Sequence, residues 1–331
     1  MACFFDKELI MKKILFIRKP PLSRTDGTVR YCEMLFKMFY NDAELQPLPI
    51  VNYPTIKSLL FHYYYRIPEL VNAIKKADIV HVNGYTDMGT VQALIIAAIL
   101  KKHIVYTAHW HPFAKLKHPF MGKVFFMVFL KKIIELFVNK VVCINNEDYH
   151  FFSSFSRSIS KIPHCIEIDN IEIVKKNKKM VLFVGRVNDP VKGFDYLYYL
   201  PEGVYEIHCV GYGDIREKRS DITQHVNISD SELYNLYAQA SLLVVPSSYE
   251  AFSYVTIESM SYGTPAVISD KVRVADYLDG IEGYSIFNLG DREDFVNKVR
   301  DTIGVFVDRE KILERFNINA IRNQYRNIYC Y

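Results

Sequence analysis

The sequence predicts an α/β protein of two domains, each built on a doubly wound parallel sheet. Three observations carry this. Short apolar runs rich in β-formers read as buried strands and alternate with helical patterns along the chain. The 331 residues, half of them hydrophobic, suffice for two medium cores. A polar, lysine-rich stretch, IEIVKKNKK from Ile171, reads as the linker between the halves.

In the first half, Ile14–Ile17 reads as a strand and Val29–Phe39 as the following helix, with the proline-containing loop RKPPLSRTDGT between them. Asp78–Gly84 is a short apolar strand closed by turn formers, and Val91–Leu100 a packed helix. Ile104–Tyr106 is a further strand leading into Thr107, Ala108, His109, Trp110 and His111. Lys140–Cys143 is another strand, a helix begins near Glu147, and Ser158–Ile162 closes the half. Residues 118–140 hold a helix apolar almost all round, with Lys123, Lys131, Lys132 and Lys140 beside it. A core helix with snorkelling lysines explains it, and so does an interfacial helix resting on an anionic bilayer.

The second half opens with the strand Met180–Val184, followed by Gly185-Arg186 and then Lys192-Gly193. Tyr205–Val210 is a strand ending in Gly211-Tyr212-Gly213-Asp214. The absence of a third glycine excludes a dinucleotide fingerprint. Ser229–Glu232 is a capping box opening a helix through Gln239. Leu242–Val245 is a buried strand, and Tyr254–Tyr262 a helix closed by Gly263 and Pro265. Helices over Arg292–Ile303 and Arg309–Tyr331 finish the chain.

Function concentrates after Val245. Glu250 follows the strand, and Glu258 comes eight positions later, about one turn into the helix. Open α/β sheets bind ligands at the carboxyl ends of their strands, where Glu250 falls. The N–H groups opening the helix favour an anion such as a pyrophosphate. Taken alone, the two carboxylates fit a dipole-compensating charge and a solvated helix face. Their surroundings decide otherwise. Pro-Ser-Ser before the pair and Glu-Ser-Met-Ser-Tyr-Gly-Thr-Pro after it resemble the signature of retaining GT-B glycosyltransferases of the family 4 type (glycosyl transferases group 1).

The resemblance spans nearly the whole chain from Met11, most strongly Val181–Val267. It implies a GT-B fold, with two Rossmann-like domains whose parallel sheets face each other across a cleft. It places an acceptor-side domain at 1–170, a nucleotide-sugar domain at 171–307, and a final helix at 308–331 crossing back to the first. It implies transfer of a hexose from a UDP-, GDP- or ADP-sugar to a hydroxyl of a glycan or lipid-linked acceptor, with no cofactor. Glu250 would orient the sugar and Glu258 hold the ribose, since a carboxylate accepts two hydroxyl hydrogen bonds at once. Arg186 and Lys192 would neutralise the diphosphate, which gains charge as the glycosidic bond breaks. Gly185, Gly211, Gly213, Ala251, Phe252, Ser253 and Tyr254 would line the donor. His109, at the end of a parallel strand, would shape the acceptor side, whereas His81 reads as structural.

The pattern is incomplete in three places. Asp26-Gly27 stands where the family carries a glycine-rich donor loop, which makes Gly27 a candidate contact. His164-Cys165 replaces the family's Asn-Gly, and Asp276 a usual Glu. These departures keep open a catalytically silent nucleotide-sugar-binding subunit, beside a sugar-nucleotide epimerase of similar fold. No Asp-x-Asp triplet indicates a metal-bridged diphosphate.

A net charge of +4 does not suggest a nucleic-acid binder. Residues 1–170 carry 22 basic and 14 acidic side chains, a balance of +8, against 19 and 23 afterwards, −4. That asymmetry, with the aromatic FHYYYR at Phe61–Arg66, suits contact of the first half with an anionic membrane surface. The six cysteines are scattered without a Cys-x-x-Cys pair, fitting a reducing compartment. Without a membrane-spanning run or signal peptide, the expected location is cytoplasmic, peripheral at most to the membrane.

Overall fold

The computed structural model describes residues 11–18, 27–42, 45–48, 55–56, 64–84, 88–109, 120–167 and 174–329. Residues 1–10, the loop 19–26, Phe61–Tyr63, Trp110-His111, residues 118–119 and the linker 168–173 lie outside them. The chain forms two compact units, Met1–Pro163 with Ile321–Tyr331, and His164–Ala320.

The first unit runs β1 (Lys12–Ile17), α1 (Gly27–Phe39), β2 (Leu45–Leu48), a small hairpin β3 (Thr55–Ile56) and β4 (Tyr64–Tyr65), then α2 (Ile67–Lys76), β5 (Ile79–Gly84), α3 (Met88–Ile99) and β6 (His103–Ala108). It continues with α4 (Phe120–Phe125), a π-helical turn (Phe126–Leu130), α5 (Lys131–Phe137), β7 (Lys140–Cys143), α6 (Asn146–Ser153) and β8 (Ile159–Lys161). Six parallel strands stand in the order β2-β1-β5-β6-β7-β8. Strand apolarity on both faces has a direct cause. Leu15, Ile17, Val80 and Val82 pack against α2, α3 and the 120–137 helix, while Phe16 and His81 meet rings on the other face.

The 120–137 helix departs from an all-round core helix. Phe126, Leu130 and Ile134 are buried, whereas Met127, Val128, Phe129, Leu136 and Phe137 are exposed. The π-turn keeps Phe126 against Phe151, Phe152 and Phe155. Among the described residues no helix is long and apolar enough to cross a membrane.

The second unit runs β9 (Met180–Val184), a 3-10 turn (Phe194–Tyr199), β10 (Glu206–Val210), β11 (Ile222–His225), α7 (Asp230–Gln239), β12 (Leu242–Val245), α8 (Tyr254–Ser261), β13 (Ala266–Ser269), a 3-10 turn (Arg273–Tyr277), β14 (Tyr284–Phe287), α9 (Arg292–Thr302) and α10 (Arg309–Phe316). Its six parallel strands stand in the order β11-β10-β9-β12-β13-β14. The Ser229–Glu232 capping box is formed in both directions. The single helix expected from Arg309 is broken before α11 (Ile318–Tyr329). Asn317 leaves the helical conformation, its side chain caps α11 through the Ala320 N–H at 2.8 Å, and Ile166 N bonds the Phe316 carbonyl at 2.9 Å.

Residues of α11 from Ile321 onward belong to the first unit and complete a buried polar layer there. Tyr329 OH meets His81 Nδ1 at 2.6 Å, and Thr107 Oγ1 meets His81 Nε2 at 2.6 Å. Tyr31 OH meets Tyr325 OH at 2.5 Å and Thr107 Oγ1 at 3.0 Å. Both ring nitrogens of His81 are satisfied, as a neutral imidazole allows. Burial holds the pKa of His81, and of His109 nearby, down to about 3.

Unfolding lets both histidines take up protons below their ordinary pKa of 6.5. Their stabilisation is complete above that value and is lost as pH falls toward 3, at about 1.4 kcal/mol per pH unit for each. Urea unfolding across about pH 6 to 4 should therefore show stability falling by about 3 kcal/mol per unit from this pair alone. A flat profile would mean that the two rings are not held neutral.

Candidate active site

The carboxyl end of β12 builds the centre of the site. After Val245 the chain turns through Pro246 and returns at Glu250, whose backbone is pinned on both sides. Its N–H donates to the Lys271 carbonyl at 3.2 Å, and its carbonyl accepts from Arg273 N at 3.0 Å. The carboxylate is thereby aimed at the loop after β9. There Lys192 Nζ lies 2.5 Å from Glu250 Oε1, and Ser247 Oγ donates to the same oxygen at 3.2 Å. Both charged side chains are half-buried.

The β9 loop reaches this position through two close approaches. Gly193 has φ +70°, and a Cβ on it would stand 2.1 Å from the Pro246 carbonyl oxygen. Ser248 N donates to the Val191 carbonyl at 2.8 Å, stitching the loops together. Gly211, after β10, has φ +149°, and a Cβ there would stand 2.1 Å from the Gly185 carbonyl oxygen. Gly213 similarly faces Asn188. Gly211 and Gly213 thus let the β10 loop pack against the backbone of the β9 loop, whereas a Cβ on Gly185 would meet only the Phe183 and Lys192 side chains, at 3.3 and 3.4 Å.

The remaining expected residues fall into separate groups. Arg186 is 67% exposed and pairs with Asp189 at 2.5 Å rather than with either glutamate. Glu258 is buried in α8, and Tyr237 OH, from α7, donates to its Oε2 at 3.2 Å. Ser253 precedes α8, and its hydroxyl accepts from Thr256 Oγ1 at 2.8 Å. Phe252 is buried, and His164 packs on it and on Tyr254 at centroid distances of 4.6 and 4.9 Å. This gives His164, where the family carries Asn, a packing role, and Cys165, at the glycine's place, needs no glycine because neither residue has a positive φ. Ala251 connects Glu250 to this cluster.

In the first unit, His109 is buried just beyond β6, edge-on to Tyr31 at 5.0 Å, and burial makes it a neutral imidazole. Gly27 is exposed as the first residue of α1. Among the described residues no three of His, Cys, Asp and Glu converge as a metal-ligand set.

Ser247, Tyr237 and Asp189 were missed by the sequence reasoning. Ser247 carried a usable signal, as the middle of the Pro-Ser-Ser that introduces Glu250. Tyr237 and Asp189 carried none, because their partners depend on how α7 meets α8 and how the β9 loop folds.

Residues 178–304 match the family model described as Glycosyl transferases group 1. The chain is 23% identical over 288 residues to an uncharacterized 41.2 kDa protein in the cps region of Klebsiella pneumoniae, covering 77% of this chain and 79% of that one. It is 33% identical over 111 residues to an uncharacterized glycosyltransferase of Methanocaldococcus jannaschii, covering 29% of this chain and 28% of the other. HepE of Anabaena, crystallised in complex with UDP-glucose, matches with a TM-score of 0.72 at 17% identity, over 97% of this chain and 100% of that chain.

The glycine contacts give a contrast. Gly211→Ala must move the Gly185 backbone and should cost about 2 kcal/mol or more. Gly203, with φ +78° and open space around it, should cost only about 1 kcal/mol on the same change. Chemical denaturation of the two variants measures the difference, and equal losses would remove the packing role given to Gly211.

Proposed function

We propose that this glycosyltransferase, whose residues 178–304 match the group 1 family model and whose fold is GT-B, is a retaining, metal-independent hexosyltransferase. It moves a hexose from a nucleotide-diphospho-sugar to a hydroxyl of a glycan or lipid-linked acceptor. One observation carries the reading: Lys192 and Glu250, from loops after two adjacent parallel strands, meet at 2.5 Å with Ser247 at the same oxygen. A cation for phosphate and a carboxylate for sugar hydroxyls then stand side by side where such sheets bind ligands.

When the donor binds, Lys192 turns to the diphosphate and Glu250 accepts from sugar hydroxyls. Arg186 leaves Asp189 to bridge two phosphate oxygens, which a planar guanidinium can do and an ammonium cannot. Glu258, held by Tyr237, takes the ribose. The bond from the anomeric carbon to the phosphate oxygen breaks, and the acceptor oxygen bonds to that carbon on the same face. The acceptor proton passes to the departing phosphate, so no side-chain base is consumed. Once at the diphosphate, the two cations stabilise the charge that develops on the leaving group. The first domain takes the acceptor, with His109 as a neutral wall and Gly27 at the donor-loop position. Because HepE holds UDP-glucose, a UDP-sugar is the first donor to test, followed by GDP- and ADP-sugars.

We also propose that residues 120–137 rest on an anionic bilayer. Met127, Val128, Phe129, Leu136 and Phe137 are exposed on a helix that carries Lys123, Lys131 and Lys132, in the half of the chain with the +8 balance. The chain should float with liposomes containing anionic lipid and be released as salt rises. Flotation indifferent to lipid charge, or none, would end this reading.

Transfer should release free nucleoside diphosphate together with a glycosylated acceptor whose new linkage keeps the donor's anomeric configuration. Lys192→Ala and Glu250→Ala should each slow release by about 100-fold or more. Near-wild-type rates in both would show the site misplaced, isomerised donor would indicate an epimerase, and an inverted linkage would refute retention.

A further inference from the structure

The carboxyl ends of the first domain's strands hold polar groups that the donor chemistry does not use. Arg18 follows β1, Asn83 lies near the end of β5, and His109 follows β6, on three neighbouring strands. Ile17 is in register with Val82, and Asn83 with Thr107. Alternation along a strand therefore sets Arg18 beside Asn83, on the sheet face opposite Ile17 and Val82. Thr107 and His109 share that face, and Tyr31 of α1 touches both.

The Arg18 side chain is only 9% exposed, yet its charge is poorly met. The guanidinium has the Val29 carbonyl at 3.4 Å and Glu33 Oε1 at 3.7 Å, from a carboxylate that is 62% exposed. Its Nε–H has no partner among the described residues. Asn83, also buried, donates through Nδ2 to the Ile17 carbonyl at 3.2 Å, while its Oδ1 has no partner among the described residues. Arg219 in the second domain shows what a satisfied guanidinium looks like at the same burial. It is 10% exposed, grips both oxygens of Asp221 at 2.9 and 2.6 Å, and donates to the Leu200 carbonyl at 2.9 Å. A buried charge without a hydrogen-bonded counter-charge is costly, and such a group marks where a ligand completes the set.

We propose that Arg18 and Asn83 form an oxyanion-binding subsite for the acceptor, so that the acceptor carries a phosphate or carboxylate group. This rests on the reading that the first domain takes the acceptor. The guanidinium fork binds two oxygens of the anion, and Asn83 Oδ1 accepts from an adjacent acceptor hydroxyl. His109 brings a neutral imidazole to the same strand ends, so the positive charge comes from Arg18. The proposed function assigns the donor's diphosphate to Arg186 and Lys192 in the second domain, which leaves Arg18 to the acceptor.

Calorimetric titration with inorganic phosphate, and separately with glucuronate, tests this on the full chain. Lys192→Ala serves as background, to weaken anion binding on the donor side. Adding Arg18→Gln to that background should weaken binding of at least one probe by tenfold or more, with Arg18→Lys intermediate. Loss of phosphate binding alone assigns a phosphorylated acceptor, and loss of glucuronate binding alone a uronic acid. In anion-free buffer Arg18→Gln should melt at or above the wild-type temperature, since it removes an ill-met charge. Binding of both probes indifferent to Arg18 overturns the proposal. So does a nucleoside diphosphate affinity that falls in Arg18→Gln alone, or a lower melting temperature in both Arg18→Gln and Arg18→Lys. The two readings fail separately: absent transfer with Arg18-dependent binding faults the activity, and intact transfer with Arg18-independent binding faults the subsite.

Discussion

A half-buried ion pair between Lys192 and Glu250 joins the loops at the carboxyl ends of β9 and β12, the proposed donor edge of the second domain. The two residues are 58 positions apart and 2.5 Å from each other. Neither charge could sit partly out of water at small cost unless the other faced it. The pair, the Gly193 approach to Pro246 and the Ser248–Val191 bond together hold the β9 loop against the end of β12. The pair also keeps each group available. A pair that is still solvent-accessible exchanges partners readily, and a diphospho-sugar offers a phosphate to the cation and hydroxyls to the carboxylate.

The first domain solves a different problem. Its sheet face toward α1 and α11 buries hydroxyls and an imidazole beside apolar side chains such as Ile14, Ile79 and Val105, and satisfies them in a chain of Tyr329, His81, Thr107, Tyr31 and Tyr325. A fully bonded polar layer admits one arrangement of its members, so it sets the angle at which α11 meets the sheet. That rigidity extends to Tyr31, which borders His109. The satisfied layer stops there. Toward the strand ends Arg18 and Asn83 carry polar atoms unmet among the described residues, where a domain that takes ligands should leave them.

Much of the fold was legible because buried parallel strands are apolar on both faces and stand out as short hydrophobic runs. Met180–Val184 and Leu242–Val245 needed nothing else. Ile222–His225 did not stand out, having one aliphatic residue and a position at the sheet edge. The capping box at Ser229 was legible since both partners lie within one turn. The break at Asn317 had a local sign of the same kind, an asparagine capping the Ala320 N–H three residues on, which the helical pattern around it masked. The same division runs through the site. The sequence placed Glu250 at a strand end, and the contact with Lys192 needed the folded loops. Capture of Arg186 by Asp189, and the packing of His164 on Phe252, are local choices that no spacing announces. The 120–137 stretch left two readings open for a physical reason: composition gives the apolar fraction of a helix, and only its neighbours decide how much of that surface is covered.

The proposed donor site is tested most directly by a crystal structure of the chain with a nucleotide-diphospho-sugar bound. It should show the Lys192 ammonium moved to a phosphate oxygen and Glu250 accepting from sugar hydroxyls, with their mutual contact opened. A ligand bound elsewhere, with Lys192 and Glu250 still closed on each other, would contradict it.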